Sequence, residues 1–174
     1  KFTAWLEKEL EAKVGGGPTH PQNPPTETPA AATVRLMKEW SGCMKLADFT
    51  AANMTAWGNV NAGGAGQCKT CHALGEFGHI ASNTAEPNFF KYITEDKYYM
   101  LQYFSVDLSL GVAQAKVIIN TRSFEGVGNR LTPHESHPGF NPLNNNGMEA
   151  LEEFYGLAMA HKTAGTSDPP RLLN

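Results

Sequence analysis

Apolar residues recur at helical spacing over several stretches of the chain, separated by segments rich in glycine and proline. In residues 1–14 (KFTAWLEKELEAKV), Phe2, Trp5 and Leu6 sit at that spacing among charges, which predicts a short amphipathic helix. Such a helix either packs on the main domain, docks on a partner or continues a membrane anchor. Residues 15–32 (GGGPTHPQNPPTETPAAA) hold five prolines and three glycines and predict an extended linker, because few backbone amides and little apolar surface remain for packing. Helical periodicity resumes at Thr33, with one helix expected over Thr33–Trp40 and another over Lys45–Trp57. On a wheel of about 3.6 residues per turn, Leu46, Phe49, Met54 and Trp57 fall within about a 140° arc, a face expected to be buried.

Beyond Trp57 runs a glycine-rich loop, residues 58–66 (GNVNAGGAG), whose four glycines allow the backbone to lie close to something flat. A helix is expected over Thr94–Phe104, with Thr94 as N-cap and Glu95 and Asp96 in the first turn, where the helix dipole favours anions. A last helix over Gly147–His161 carries the apolar row Met148, Leu151, Tyr155 and Met159. Asn146, three residues before Glu149, supplies a variant of the capping box. Between these helices, residues 122–145 read as a long loop of the kind that often carries function. The expected organisation is an amphipathic helix (1–14), a linker (15–32), one mainly α domain with long loops (33–165) and a mobile tail (166–174).

Composition narrows the function classes. The 174 residues suit one domain with a real core. With 17 acidic against 14 basic side chains and a net charge of −3, there is no basic footprint for nucleic acid. No run of roughly 18 or more apolar residues marks a membrane span. The three cysteines do not form a paired framework. Their spacing says more: Cys68 and Cys71 stand in Gln67-Cys68-Lys69-Thr70-Cys71-His72, and Cys43 stands alone upstream.

CxxCH carries a mechanism. Two cysteines three positions apart lie on adjacent edges of one helical turn, where their sulfurs can form thioethers with two vinyl groups on one side of a haem. The adjacent histidine then projects toward the iron. Zinc would require two more ligands at comparable spacing, and the chain has no second cysteine pair and no HxxxH. A thioredoxin-like redox pair would follow a βαβ pattern, whereas a glycine-rich loop and helices surround this one. An ordinary disulfide is the remaining alternative. Aromatic and methionine residues near the motif, Trp57 among them as a candidate cofactor contact, suit the burial of a large flat apolar group.

For the other face of the iron the residues leave several candidates. Met54 precedes the glycine-rich loop, Met100 lies on the helix after the motif, and His134 and His137 lie in the long loop. His79 is expected on the proximal side, near His72, and Met159 and His161 end the last helix. An open distal face is the further alternative; it would turn the chain toward gas binding or peroxidase-like catalysis, with His134, Glu135 and His137 as acid–base groups.

The order of LADFTAANMTAW, a glycine-rich turn, CKTCH and then TEDKYYMLQYF resembles one haem-binding unit of the cytochrome subunit of photosynthetic reaction centres, over residues 33–108. That resemblance implies a small helical domain wrapped around one covalently held haem c, with Cys68 and Cys71 as thioether residues, His72 as proximal ligand and Met54 as distal ligand. Members of that family repeat the unit with several CxxCH motifs, and this chain has one. The chain is also similar to monohaem class I cytochromes c, in which case the loop before the last helix implies His134 or His137 as distal ligand. Either resemblance implies a single-electron carrier outside the cytoplasm, in the periplasm or at the cell surface. Its expected partners are other cytochromes or a membrane electron-transfer complex, with a membrane tether through a segment preceding Lys1.

Overall fold

The computed structural model describes residues 27–84, 88–124, 140 and 145–172. The expected helix over 1–14, most of the expected linker, and the loop carrying His134 and His137 lie outside the described residues. Among those described, the fold is mainly α with one small hairpin.

Helix α1 spans Pro29–Cys43. It starts earlier than the apolar pattern predicts because Thr28 caps it: the Thr28 hydroxyl accepts from Ala31 N at 3.2 Å, and Pro29 takes the first helical position. A proline there forfeits no helical hydrogen bond. Residues 29–32, expected as the end of the linker, are therefore its first turn. The helix buries Ala32, Leu36, Met37, Trp40 and Cys43.

The expected helix over Lys45–Trp57 is two helices, α2 (Leu46–Ala51) and α3 (Ala56–Asn59). The chain leaves helical geometry at Asn53, whose φ of +54° lies in the left-handed region that asparagine tolerates better than most side chains. Phe49, Met54 and Trp57 still share a buried environment, whereas Leu46 stays 40% exposed.

The helix expected from Thr94 also divides differently. Thr94 is buried in the last turn of α5 (Asn88–Glu95), with its hydroxyl donating to Phe90 O at 2.8 Å. Asp96 is the N-cap of α6 (Lys97–Tyr103), its carboxylate accepting from Tyr98 N at 2.8 Å. The capping physics is as expected, two residues later. Phe104, expected as helical, begins strand β1 (Phe104–Asp107). This strand pairs antiparallel with β2 (Lys116–Ile119), with Phe104 opposite Ile119.

Between α3 and α5, the single turn α4 (Lys69–His72) carries the CxxCH segment. The last helix, α7, spans Asn146–Ala164. Its N-cap is Asn145 rather than Asn146: Asn145 Oδ1 accepts from Met148 N at 3.0 Å. Met148 and Leu151 are buried as the apolar row predicts, joined by Phe154 and Ala158, while Tyr155 and Met159 are partly buried against the core.

The tail expected to be mobile is instead docked through residue 172. Asp168 N donates to Gly42 O at 2.9 Å, and Ser41 Oγ accepts from both Arg171 N and Leu172 N at 2.9 and 3.0 Å. Leu172 is buried, and the Arg171 guanidinium lies over the Phe90 ring at 5.3 Å. Gly42 permits this approach, since a Cβ there would run into the Asp168 carbonyl.

The core joins these elements through aromatic edges. Phe49 meets Phe89, Phe90 and Phe154 edge-to-face at 5.1, 5.5 and 5.5 Å. Trp40 meets Phe104 at 5.4 Å. Each such pair contributes about 0.5–1.5 kcal/mol beyond area burial.

Candidate functional site

The chain approaches the cysteine pair from Trp57 through a closed loop. Ala62 N donates to Gly66 O at 2.7 Å, Asn61 bridges Gln67, and Gly66 turns the chain with a φ of +92°. Cys68 N then donates to Val60 O at 3.0 Å, which fixes the motif against the end of α3. The glycines thus return the chain on itself and deliver the cysteines to a defined place.

In α4 and the residue before it, both Cys71 N and His72 N donate to Cys68 O, at 3.2 and 3.0 Å. Cys68 is half-buried, Cys71 exposed, and both are free thiols. Burial pushes the Cys68 thiol up to about 11. A catalytic redox dithiol works through a thiol held below its ordinary value, and burial moves Cys68 in the opposite direction. Among the described residues no group of three or more His, Cys, Asp or Glu is arranged to hold a free metal ion, so the zinc alternative gains no further ligands there.

His72 is nearly buried, at 9% exposure, and its Nδ1 lies 2.8 Å from Glu76 O. A carbonyl oxygen can only accept, so Nδ1 is the donating nitrogen in this contact. The backbone of His72 is fixed as well, with its carbonyl accepting from Ala81 N at 2.9 Å.

The turn that supplies the Glu76 carbonyl has unusual backbone. Gly75, Phe77 and Gly78 have φ of +92°, +56° and +75°. The left-handed region is a strained place for a bulky side chain. Tyr99 Oη donates to Gly75 O at 3.0 Å, and Tyr98 Oη lies where a Cβ on Gly78 would project, so α6 holds this turn with two tyrosines. Glu76 braces it from within: its carboxylate accepts from Leu74 N at 2.8 Å, and such backbone hydrogen bonds hold its carboxyl below the usual range. The Phe77 ring stands edge-on to His72 at 6.0 Å and is 67% exposed.

His79 lies beside His72 with ring centroids 5.3 Å apart. It stacks on Tyr103 at 5.3 Å, and its Nε2 is 3.4 Å from Tyr103 Oη. The Tyr103 hydroxyl donates to Ile80 O, and burial, with Cys68 nearby, holds that phenol well above its usual value. Trp57 and Phe124 complete the wall, Trp57 at 5.6 Å from Tyr103 and 4.6 Å from Phe124. The Trp57 indole N–H is buried with no hydrogen-bond partner among the described residues.

Met54 and Met100 are both fully buried, Met54 in the turn between α2 and α3 and Met100 on α6 between Tyr99 and Tyr103. His161 is committed elsewhere, with Nε2 2.9 Å from Asp48 Oδ2 and Nδ1 2.9 Å from Thr166 Oγ1. Cys43 is buried, its sulfur 3.1 Å from Ser167 Oγ. The structure therefore joins Cys68, His72, His79, Tyr103, Phe124 and Trp57 into one neighbourhood. Phe124 and the Glu76 carbonyl had no part in the sequence reading. The CxxCH spacing could have prompted a search downstream for a carbonyl, but nothing in the sequence specifies which residue provides it.

No helix among the described residues is long and apolar enough to cross a membrane. No protein-family model, curated protein or solved structure matches the chain.

Proposed function

We propose that the chain is a monohaem c-type cytochrome that carries single electrons, with haem c bonded to Cys68 and Cys71 and His72 as an axial ligand. The observation that carries this reading is the His72 Nδ1–H bond to the Glu76 carbonyl at 2.8 Å. Metal-bound histidines commonly make such a bond through the other ring nitrogen, which fixes the tautomer and the ring orientation. In that arrangement Nε2 would be the ligating atom. The acceptor belongs to the turn immediately after the cysteine pair, so attachment and ligation are specified by one short stretch of chain.

Haem bound there supplies a reversible one-electron iron couple. The chain's own residues do the rest. Cys68 and Cys71, on one helical turn, anchor one edge. Trp57, Tyr103 and Phe124, packed against one another, would supply an apolar wall that keeps water from the macrocycle. The buried indole N–H of Trp57 suits an anionic group at the cofactor's edge, because an unpartnered buried donor costs about 1–3 kcal/mol until something accepts from it. Met54 is the first choice for the distal ligand by the resemblance to reaction-centre cytochrome units, with Met100, His134 and His137 as alternatives. Covalent haem of this type is attached outside the cytoplasm, so the proposed location is extracytoplasmic. The proposed partners are redox proteins, other cytochromes or a membrane complex, reached through a tether preceding the domain.

The test is production alongside haem-maturation machinery, with absorption spectra of both redox states. Wild type is expected to be red, with haem retained on denaturation, and Cys68→Ala/Cys71→Ala to lose it. Met54→Ala is expected to lose a methionine–iron charge-transfer band and to fall in potential. A colourless wild type with both thiols free to react would overturn the reading.

A further inference from the structure

A second feature lies on the other side of α3. Five asparagines, Asn53, Asn59, Asn61, Asn145 and Asn146, line an open pocket of about 360 Å³, whose remaining walls are the apolar Ala56 and Val60. They come from the turn before α3, its end, the loop after it and the start of α7. A carboxamide offers one accepting oxygen and two donating N–H groups. In this pocket the oxygens of four of the five are already engaged. Lys69 Nζ donates to Asn59 Oδ1 at 2.8 Å, Gly63 N to Asn61 Oδ1 at 2.8 Å, and Met148 N to Asn145 Oδ1 at 3.0 Å. Thr55 Oγ1 is 2.9 Å from Asn53 Oδ1. An ammonium and backbone N–H groups can only donate, which fixes the oxygen end of Asn59, Asn61 and Asn145 without ambiguity.

The engaged oxygens leave a lining biased toward donors. Among the described residues no carboxylate lines the pocket. The Lys69 ammonium, bonded to the lining residue Asn59, lies beside the pocket, and the wall includes Asn146, the first residue of the 19-residue α7. The start of a long helix is electropositive. From the donor bias, the ammonium and the absence of lining acids together, we propose that this pocket binds a small oxyanion of the size and charge of inorganic phosphate or sulfate. Asn59 and Asn61 donate to it through Nδ2, and Lys69 supplies the compensating charge. Since Lys69 stands between Cys68 and Cys71, an anion here lies one side chain away from the attachment turn. The site does not depend on the haem reading, because every group in it belongs to the chain.

The experiment is a titration of the full chain with inorganic phosphate at constant ionic strength, followed by nitrogen-15 NMR of the asparagine side-chain amides. Saturable shifts of the Asn59 and Asn61 Nδ2 resonances are expected, with affinity weakened about tenfold in Lys69→Gln, the effect of losing one charge-assisted interaction. Asn59→Asp, which replaces a donor with an acid of the same shape, is expected to abolish binding while the rest of the spectrum stays native. Constant ionic strength separates a bound ion from general screening. Shifts that never saturate, or unaltered binding in natively folded Lys69→Gln, would overturn the proposal. Saturable binding of glycerol at the same amides would assign the pocket to neutral polyols and overturn it equally.

Discussion

The two ends of α1 and α7 and the turn after His72 are built on opposite terms. Around Ser41 and Gly42 the C-terminal segment is clasped with its polar groups paired: one serine hydroxyl accepts from two backbone amides, Asp168 N reaches Gly42 O, and Leu172 is buried. Around His72 the chain instead holds a bulky residue at positive φ, Phe77, with its ring exposed, and a half-buried thiol pushed up by burial. Paired backbone groups are what a region selected for stability shows, although the Trp40 indole N–H beside Ser41 has no partner among the described residues. Strained backbone clusters where something else is to be held. The contrast separates scaffold from site without reference to motif.

The largest expected effect is on the scaffold side. Gly42→Ala drives a Cβ into the Asp168 carbonyl, a backbone atom that cannot swing away. The C-terminal segment should then detach, losing its bonds to Ser41 and Gly42 and the burial of Leu172. A destabilisation of about 2–3 kcal/mol is expected in denaturant melts, along with new proteolytic cleavage after Gly165. A melt unchanged within error would show that the clasp contributes nothing and that the contrast is only geometric.

Next in size is the state of the cysteine thiols in protein without haem. With the Cys68 thiol pushed up to about 11 by burial, it is almost wholly protonated at neutral pH. Its alkylation rate should keep rising with pH until about 11, whereas an ordinary exposed cysteine levels off near 8.5–9. The same shift carries a stability consequence. The unfolded chain loses this proton at lower pH than the folded one, so stability falls as pH rises through the window from the ordinary thiol value to about 11. Mass spectrometry of alkylated peptides against pH checks the first statement. A Cys68 rate that levels off near pH 9 would place the sulfur in water and weaken the wall formed with Tyr103.

The sequence made different parts of this picture legible to different degrees. CKTCH is local, so its one-turn geometry follows from spacing alone, and the row Met148, Leu151 on α7 follows from periodicity in the same way. The mainly helical class followed from several such stretches together. The β1–β2 hairpin did not, because four-residue strands hold too few positions to show alternation, although Val117, Ile118 and Ile119 carry the β-branched signal. The docked tail was illegible for another reason: its partners Ser41 and Gly42 lie far upstream, and polar segments without periodicity read as mobile. At the site, the acceptor for His72 is a backbone carbonyl, a group every residue possesses. The asparagine pocket gathers residues from separate segments, and no single stretch shows it.

The smallest effect, and the one that most sharpens the contrast, concerns Phe77. Its left-handed backbone costs about 1–2 kcal/mol, and glycine would relieve that strain. Glycine also loosens the unfolded chain by about 0.5–1 kcal/mol, so Phe77→Gly should change stability by roughly 1 kcal/mol or less, toward a more stable protein. Little packing is lost, since the ring is 67% exposed. What the ring does contact is His72, edge-on at 6.0 Å. In haem-loaded protein, its removal should therefore open the imidazole to water and shift the midpoint potential, with the melt barely altered. If the potential moves and the melt does not, the strain at Phe77 serves the site. If Phe77→Gly instead unfolds the protein at markedly lower denaturant, this turn is scaffold like the clasp at Gly42, and positive φ here reports packing rather than function.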